Sequence, residues 1–285
     1  MASVRLLRLD RLGGLAPGNK SFKLAENIAR ARDQGINRLV SFGGAWSNHL
    51  HALAAVGKEQ GFATYGLVRG ERPRHPSAML CDASDWGMQL EYLSRADYRE
   101  RDNPDFQAAL ETRLGPCMII PEGGGNAEGV SGCAPIAQML LESSVQTSQV
   151  ALAVGTGTTL AGIVAALPAH WDVLGISVLK GALDLDQQVQ GLLAPYVSEL
   201  LPQWRISHDD HCGGYARVSG ELKAFMLEFE RVQGVLLDPV YTGKVLYALH
   251  RQLKQGNING EIVAIHTGGL QGRRGFDWLS GQDAV

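Results

Sequence analysis

Short apolar runs alternate with amphipathic stretches along most of the chain. RLVSF (Arg38–Phe42), TYGLVRG (from Thr64), MQLEYLS (Met88–Ser94), MIIP (from Met118), Val150–Val154, Val173–Leu179 and EIVAI (from Glu261) read as strands. Between them, Leu24–Gln34 capped by Gly35, Ser47–Gln60, Met79–Trp86, Val130–Glu142, Ser219–Gln233 and Val245–Gln255 read as helices. Leu183–Leu201 also reads as a helix, broken by Pro195, while GVLLDPVYTGK reads as a loop. Strands separated by helices predict parallel sheet with helices on both faces. Neither a repeat nor a low-complexity linker interrupts the pattern, so the expected division is one domain inserted in another.

Composition narrows the classes. With 285 residues, 45% hydrophobic and 19% charged, the chain is long and apolar enough for a large folded core. A net charge of −3 gives no basic field for nucleic acid. The start, MASVRLLRLDRLGG, lacks the apolar core of a signal peptide, and no apolar run is long enough to span a bilayer, so a cytoplasmic protein without a membrane partner is expected. Cys81, Cys117, Cys133 and Cys212 are scattered, without CxxC or zinc-finger spacing; they are expected to be reduced, buried thiols, with no metal site. Glycine is abundant, at 35 residues, and clusters beside the apolar runs.

Those glycine clusters carry the chemistry. Gly155, Thr156, Gly157, Thr158 and Thr159 follow an apolar strand and open a helix, which places free amides and hydroxyls around a close-approach backbone: a phosphate cradle or a tight turn. No GK[ST] follows, so it is not a Walker loop, and the GxGxxG spacing is not met. SFGGAWSNHL repeats the strand–turn–helix pattern, with Ser47, Asn48 and His49 either in a ligand crevice or simply capping a helix. In GNKSFKL, Lys20 stands near a helix start, where the dipole favours anions over an ammonium. A phosphate cradle, a lysine placed where a neutral amine is favoured, and no metal together suggest pyridoxal phosphate, held by its phosphate and joined to lysine as a Schiff base. A surface lysine beside ordinary turns is the alternative for the same residues, and Lys23 reads as a surface or phosphate-side charge.

GNKSFKL, SFGGAWSNHL, PEGGGNAEGVSGC, GTGTTLAG, GYARVSGEL, LLDPVYTGK and IHTGG occur in an order that resembles the 1-aminocyclopropane-1-carboxylate (ACC) deaminase/D-cysteine desulfhydrase family, from about Arg8 to Gly269. The resemblance implies the fold type II of pyridoxal-phosphate enzymes: two doubly wound α/β domains with parallel or mostly parallel sheets. The expected boundaries are residues 1–34 and 141–285 for a large domain and 35–140 for a small inserted one. It implies that Lys20 is the Schiff-base lysine, that Asn48 bonds the ring hydroxyl, and that Gly155–Thr159 hold the phosphate. Thr242 and Thr267 would lie near the pyridine nitrogen. Ser47, Asn48, His49, Trp46, Tyr215 and Tyr241 would face the substrate, a small amino acid, with Lys20, Ser47, Tyr215 and Tyr241 catalytic. A homodimer is the family expectation.

The branch also follows from the resemblance. The deaminase branch resembles DPVYEGK and AHLGG, whereas this chain reads DPVYTGK, IHTGG and SNH, as the desulfhydrase branch does. Threonine cannot keep the pyridine nitrogen protonated as a carboxylate can. The implied reaction is α,β-elimination of D-cysteine to pyruvate, sulfide and ammonia; the alternatives are ACC deamination to 2-oxobutyrate and ammonia, or a catalytically weak cofactor-binding module. Phe22, Ala25, Trp46 and Glu122 depart from the family pattern around the substrate side, and the segment before GNK is expected to lack part of the usual first strand.

Overall fold

The structure, a computed structural model, describes residues 2–143, 145, 147–196 and 200–279. It opens with strand β1 (Ser3–Arg8) and helix α1 (Asn19–Asp33). Then come β2 (Arg38–Gly43), α2 (Asn48–Gln60), β3 (Ala63–Arg69), α3 (Ala78–Asp85), β4 (Gln89–Leu93), α4 (Pro104–Leu114), β5 (Met118–Ile120) and α5 (Ala127–Ser131). The remainder runs α6 (Ala134–Glu142), β6 (Gln149–Val154), α7 (Thr158–Ala166), β7 (Asp172–Ser177), α8 (Leu185–Leu193), β8 (Gln203–Ser207), α9 (Gly220–Gln233), α10 (Thr242–Lys254) and β9 (Glu261–His266).

Helix starts follow the local chemistry. Ser47, Ser77, Asn103, Asn126 and Ser219 are N-caps whose side chains accept a backbone N–H of the first turn. The expected helix Val130–Glu142 is two helices, α5 and α6. Pro135 stands in the first turn of α6, where proline is tolerated, and Gly132 is packed so tightly that an added Cβ would lie 2.3 Å from the Phe22 carbonyl oxygen. Of the Leu183–Leu201 expectation, the described part is helical over α8 and then a 3₁₀ turn, Ala194–Tyr196; residues 197–199 lie outside the described ones.

The chain groups into two compact units. One holds the chain up to Leu12 together with Cys133–Leu270; the other holds Gly13–Gly132 together with the described residues from Gln271 onward. The first is built on a five-stranded sheet in the order β1-β9-β6-β7-β8, every pairing parallel. Its central strands β6, β7 and β9 are buried along nearly their whole length, as strands covered on both faces must be. The second is built on a four-stranded parallel sheet, β4-β3-β2-β5. Alternate residues of β2 face opposite cores: Leu39 joins Leu24, Ile28, Leu50 and Leu53 from α1 and α2, while Val40 and Phe42 pack with Leu110 of α4.

These groupings differ from the expected boundaries at 34/35 and 140/141. Helix α1 goes with the four-stranded sheet because Leu24, Ile28 and Ala31 belong to its core and the helix packs on α2 and α5. Helix α6 goes with the five-stranded sheet because it packs on α7. Two strands were not marked by the apolar pattern along the sequence. β1, expected to be incomplete, pairs with β9 through all six residues from Ser3 to Arg8, and β8 forms the other edge beside β7. None of the four cysteines is in a disulfide, but only Cys117 and Cys133 are buried; Cys81 is exposed on α3 and Cys212 lies in a half-exposed loop. Among the described residues, no helix is long and apolar enough to cross a membrane.

Candidate active site

The unit with the four-stranded sheet carries the lysine. Helix α1 starts at Asn19, earlier than its apolar periodicity indicates, so Lys20 lies inside the first turn. Its cap is Gly18, at φ 129°, a left-handed backbone suited to glycine, and no carboxylate stands in that turn. The Lys20 Nζ donates to Asn19 Oδ1 at 3.1 Å. Lys23 is not a surface charge: it is buried, and its Nζ donates to the Gly123 carbonyl at 2.9 Å, tying α1 to the glycine turn after β5.

The turn after β2 presents Ser47, Asn48 and His49. Gly43 permits it, since an added Cβ there would sit 2.4 Å from Ser47 Oγ. Ser47 Oγ accepts the Leu50 N–H, so the hydroxyl is a helix cap and keeps its own proton to donate. Asn48 is half-buried on the first turn of α2, and Trp46 is exposed before it. His49 is buried. Its Nε2 meets Ser41 Oγ at 2.9 Å, and the Ser41 hydroxyl donates to the Ile120 carbonyl at 2.7 Å, so His49 Nε2 is the donor and Nδ1 carries the lone pair. Nδ1 is buried without a partner among the described residues. Burial first, and then the charges of Lys20 and Lys23, push the imidazole down to about 3. Glu122, which the sequence set beside the pocket, pairs with Arg101 at 3.2 Å.

The unit with the five-stranded sheet carries the turn Gly155–Thr159, expected to cradle a phosphate. Gly157, at φ 78°, begins α7, and an added Cβ would lie 2.6 Å from Val189 Cγ2 of α8. Among the described residues no side chain caps the start of α7, a helix N-terminus whose dipole suits an anion. Thr156 and Thr158 hydroxyls lie 3.3 Å apart, and Thr158 and Thr159 are buried. The Tyr241 ring lies 3.6 Å from the position of a Cβ on Gly155, and the Tyr215 ring meets Tyr241 edge-on at 6.3 Å. The structure thus brings the Gly155 turn and both tyrosines together. Thr242 opens α10 and is fully buried; Thr267 follows β9 and is nearly so.

Several residues at these places gave no signal in the sequence. Asp238, 2% exposed, accepts the amides of Val240, Tyr241 and Thr242 at 3.0, 2.7 and 2.8 Å, and so starts α10 earlier than its periodicity suggests. Burial raises its carboxyl, opposed by those amides and by His266. Lys244, wholly buried, donates to the Gly214 carbonyl at 2.7 Å. Gln271, beyond the last recognisable motif, donates its Nε2 to Asn48 Oδ1 at 2.9 Å. Only the Pro and Gly punctuation of DPVYTGK hinted at any of these.

The residues present fit pyridoxal phosphate. The uncapped helix start behind Gly157 suits a dianionic phosphate, and a half-buried lysine at the positive end of α1 suits an amine used as a nucleophile. Comparison with known proteins agrees. The family model described as pyridoxal-phosphate dependent enzyme matches residues 6–268. A D-cysteine desulfhydrase of Serratia proteamaculans is 30% identical over 271 residues, covering 88% of this chain and 82% of its own. A Pyrococcus abyssi protein provisionally named a 1-aminocyclopropane-1-carboxylate deaminase is 28% identical over 280 residues, covering 93% and 84%. Among solved structures, an ACC deaminase homologue superposes with a TM-score of 0.82 at 24% identity, covering 95% of this chain and 85% of that one, which shows the shared fold. The chain belongs to the pyridoxal-phosphate dependent enzymes, in the ACC deaminase/D-cysteine desulfhydrase family, and its cofactor is pyridoxal phosphate.

Proposed function

We propose that the protein is a lyase that converts D-cysteine and water to pyruvate, hydrogen sulfide and ammonia. The observation that carries this choice is the set of groups at the start of α10 and the end of β9. Threonines stand at 242 and 267, and the nearby Asp238 carboxylate is engaged by three backbone amides. Neither position 242 nor position 267 offers a carboxylate to keep a pyridine nitrogen protonated, which favours loss of a good β leaving group over opening of an unactivated ring. The likeness to a desulfhydrase at 30% identity supports the same reading.

When bound, the cofactor supplies an electrophilic carbon for the substrate amine and an electron-withdrawing ring. The chain's own residues do the rest. Amides and hydroxyls of Gly155–Thr159 bind the phosphate, and the Asn48 amide donates to the ring hydroxyl. Lys20 would hold the cofactor through its amine and, as a free amine, would take the substrate's α-proton. The Ser47 hydroxyl donates to the substrate carboxylate. Tyr215 and Tyr241 face the side chain and deliver a proton to the departing thiolate. Water then releases ammonia and the keto acid, which balances the reaction.

The test is an absorbance spectrum of the purified protein, borohydride reduction with peptide mapping, and keto-acid detection with D-cysteine, L-cysteine and ACC. A band fixed on Lys20 with pyruvate from D-cysteine is expected. Formation of 2-oxobutyrate from ACC would overturn the threonine argument, and a band without any keto acid would leave a cofactor-binding module or another substrate.

A further inference from the structure

The segment after the last family motif is bonded to the turn that carries Asn48. Gln271 opens a 3₁₀ turn, Leu270–Gly275, and its Nε2 donates to Asn48 Oδ1 at 2.9 Å across 223 residues of sequence. Arg274 holds that turn from within, donating from Nε to the Gln271 carbonyl at 3.1 Å. The same guanidinium is paired with Asp82. Asp82 in turn bonds His51 Nε2 at 2.9 Å, and His51 lies three residues beyond Asn48 on one face of α2. Asn48, Gln271, Arg274, Asp82 and His51 therefore close a circuit that leaves α2 and returns to it. Gly275 adds a packing contact: an added Cβ would lie 3.0 Å from Trp46 Cζ2, so glycine lets the backbone approach the indole.

We propose that Gln271 is a positioning residue that sets which end of the Asn48 amide faces the cofactor. A primary amide has an acceptor end and a donor end. With its oxygen taken by Gln271, Asn48 turns its NH₂ outward as a donor, which is what an oxygen on the cofactor ring requires. Without a donor at 271 the amide is free to flip and to present its own oxygen to that ring oxygen, exchanging attraction for repulsion. This inference rests on the assignment of Asn48 to the ring hydroxyl made above.

Two replacements separate orientation from packing. Gln271→Met keeps the length and removes the donor; Gln271→Glu keeps the shape and reverses the preference, because a carboxylate accepts from Asn48 Nδ2 and holds the amide flipped. Pyridoxal phosphate is titrated into ligand-free protein, following the absorbance band. Gln271→Met is expected to weaken binding about threefold and Gln271→Glu about tenfold or more, the scale of one hydrogen bond lost or reversed. In an Asn48→Ala background neither replacement changes the affinity further. Additive losses, or a Gln271→Glu protein that binds like the parent, overturn the proposal. The ligand-free protein supplies an independent reading: the Asn48 side-chain amide resonance moves on Gln271→Glu, and a resonance that stays in place refutes the contact. If the parent protein itself forms no reducible band on Lys20, the site assignment fails, while the amide resonance still decides the contact.

Discussion

The wholly buried Nζ of Lys244 donates to the carbonyl of Gly214, one residue before Tyr215, at 2.7 Å. Lys244 also lies three residues after Tyr241, whose carbonyl accepts its amide. One side chain on the first turn of α10 therefore ties the helix that carries Tyr241 to the loop that carries Tyr215. That loop needs holding: Cys212 and Ala216 adopt φ 51° and 55°, and Gly213 and Gly214 adopt 97° and 107°. Non-glycine residues in the left-handed region cost about 1–3 kcal/mol each unless their surroundings compensate. Lys244→Met is expected to lower kcat/KM on the substrate by about tenfold or more, in line with the about 1–3 kcal/mol for losing a buried charged donor. Limited proteolysis should show new cleavage within residues 211–217. An uncut loop with full activity would assign the positioning of Tyr215 to other contacts.

The same lysine gives a pH signature. Burial pulls it from the ordinary 10.5 down to about 8, with Cys212 and Asp238 opposing. Between those values the unfolded chain binds a proton that the folded chain does not, so stability rises with pH across the window. Below about 8 both states are protonated and the burial penalty is present in full. Urea midpoints of the parent, compared with Lys244→Met, should improve from pH 7 toward pH 10. A constant difference would mean that the amine is solvated as an ordinary lysine.

The main lines of the fold and the family were legible because their signals are local. Apolar runs ending in glycine turns marked β2, β6 and β9, and the order of the motifs around Lys20, Asn48 and Gly155–Thr159 carried the family. Edge strands gave less: β1 and β8 are only partly buried, so neither forms a continuous apolar run. Asp238 hid because its work is done by its carboxylate on backbone amides two to four residues ahead, which replaces the usual cap and starts α10 within what reads as a loop. Gln271 and Lys23 hid for another reason. Their partners lie 223 and 100 residues away, and nothing in a local pattern encodes such a pairing. Lys23 resembled a solvated charge because lysine is rarely buried, and only the Gly123 carbonyl explains the exception.

His49 should stay neutral across the working range. With its pKa near 3, the ring nitrogen shifts are expected to show the Nε2–H form unchanged from pH 5 to 9. Because the unfolded chain takes up a proton near 6.5 that the fold excludes, stability falls as pH drops from 6.5 toward 3. His49→Gln should blunt that part of the acid sensitivity. Ser41→Ala removes the acceptor for Nε2–H inside the core and should cost about 1–3 kcal/mol in urea unfolding. A His49 resonance titrating near neutrality would overturn the assignment of the ring as a buried neutral group.

Two glycines of the unit with the five-stranded sheet separate the expected phosphate turn from an ordinary helix position. At Gly157 a Cβ meets both a φ of 78° and a methyl of Val189 2.6 Å away, so Gly157→Ala should cost about 2–4 kcal/mol through strain and overpacking. Because the residue forms the entrance to α7, cofactor affinity should fall with it, by about tenfold or more, as the amides leave their alignment. Gly191 in α8 is exposed, and a Cβ there meets nothing within 4 Å, so Gly191→Ala should stabilise by about 0.5–1 kcal/mol and leave cofactor binding alone. Val189→Ala added to Gly157→Ala removes the clash but not the backbone strain. The pair should therefore regain part of the affinity and not all of it. Thermal unfolding and cofactor titration of the four proteins check the argument, and full recovery in the double variant would show that the turn tolerates alanine once Val189 is gone.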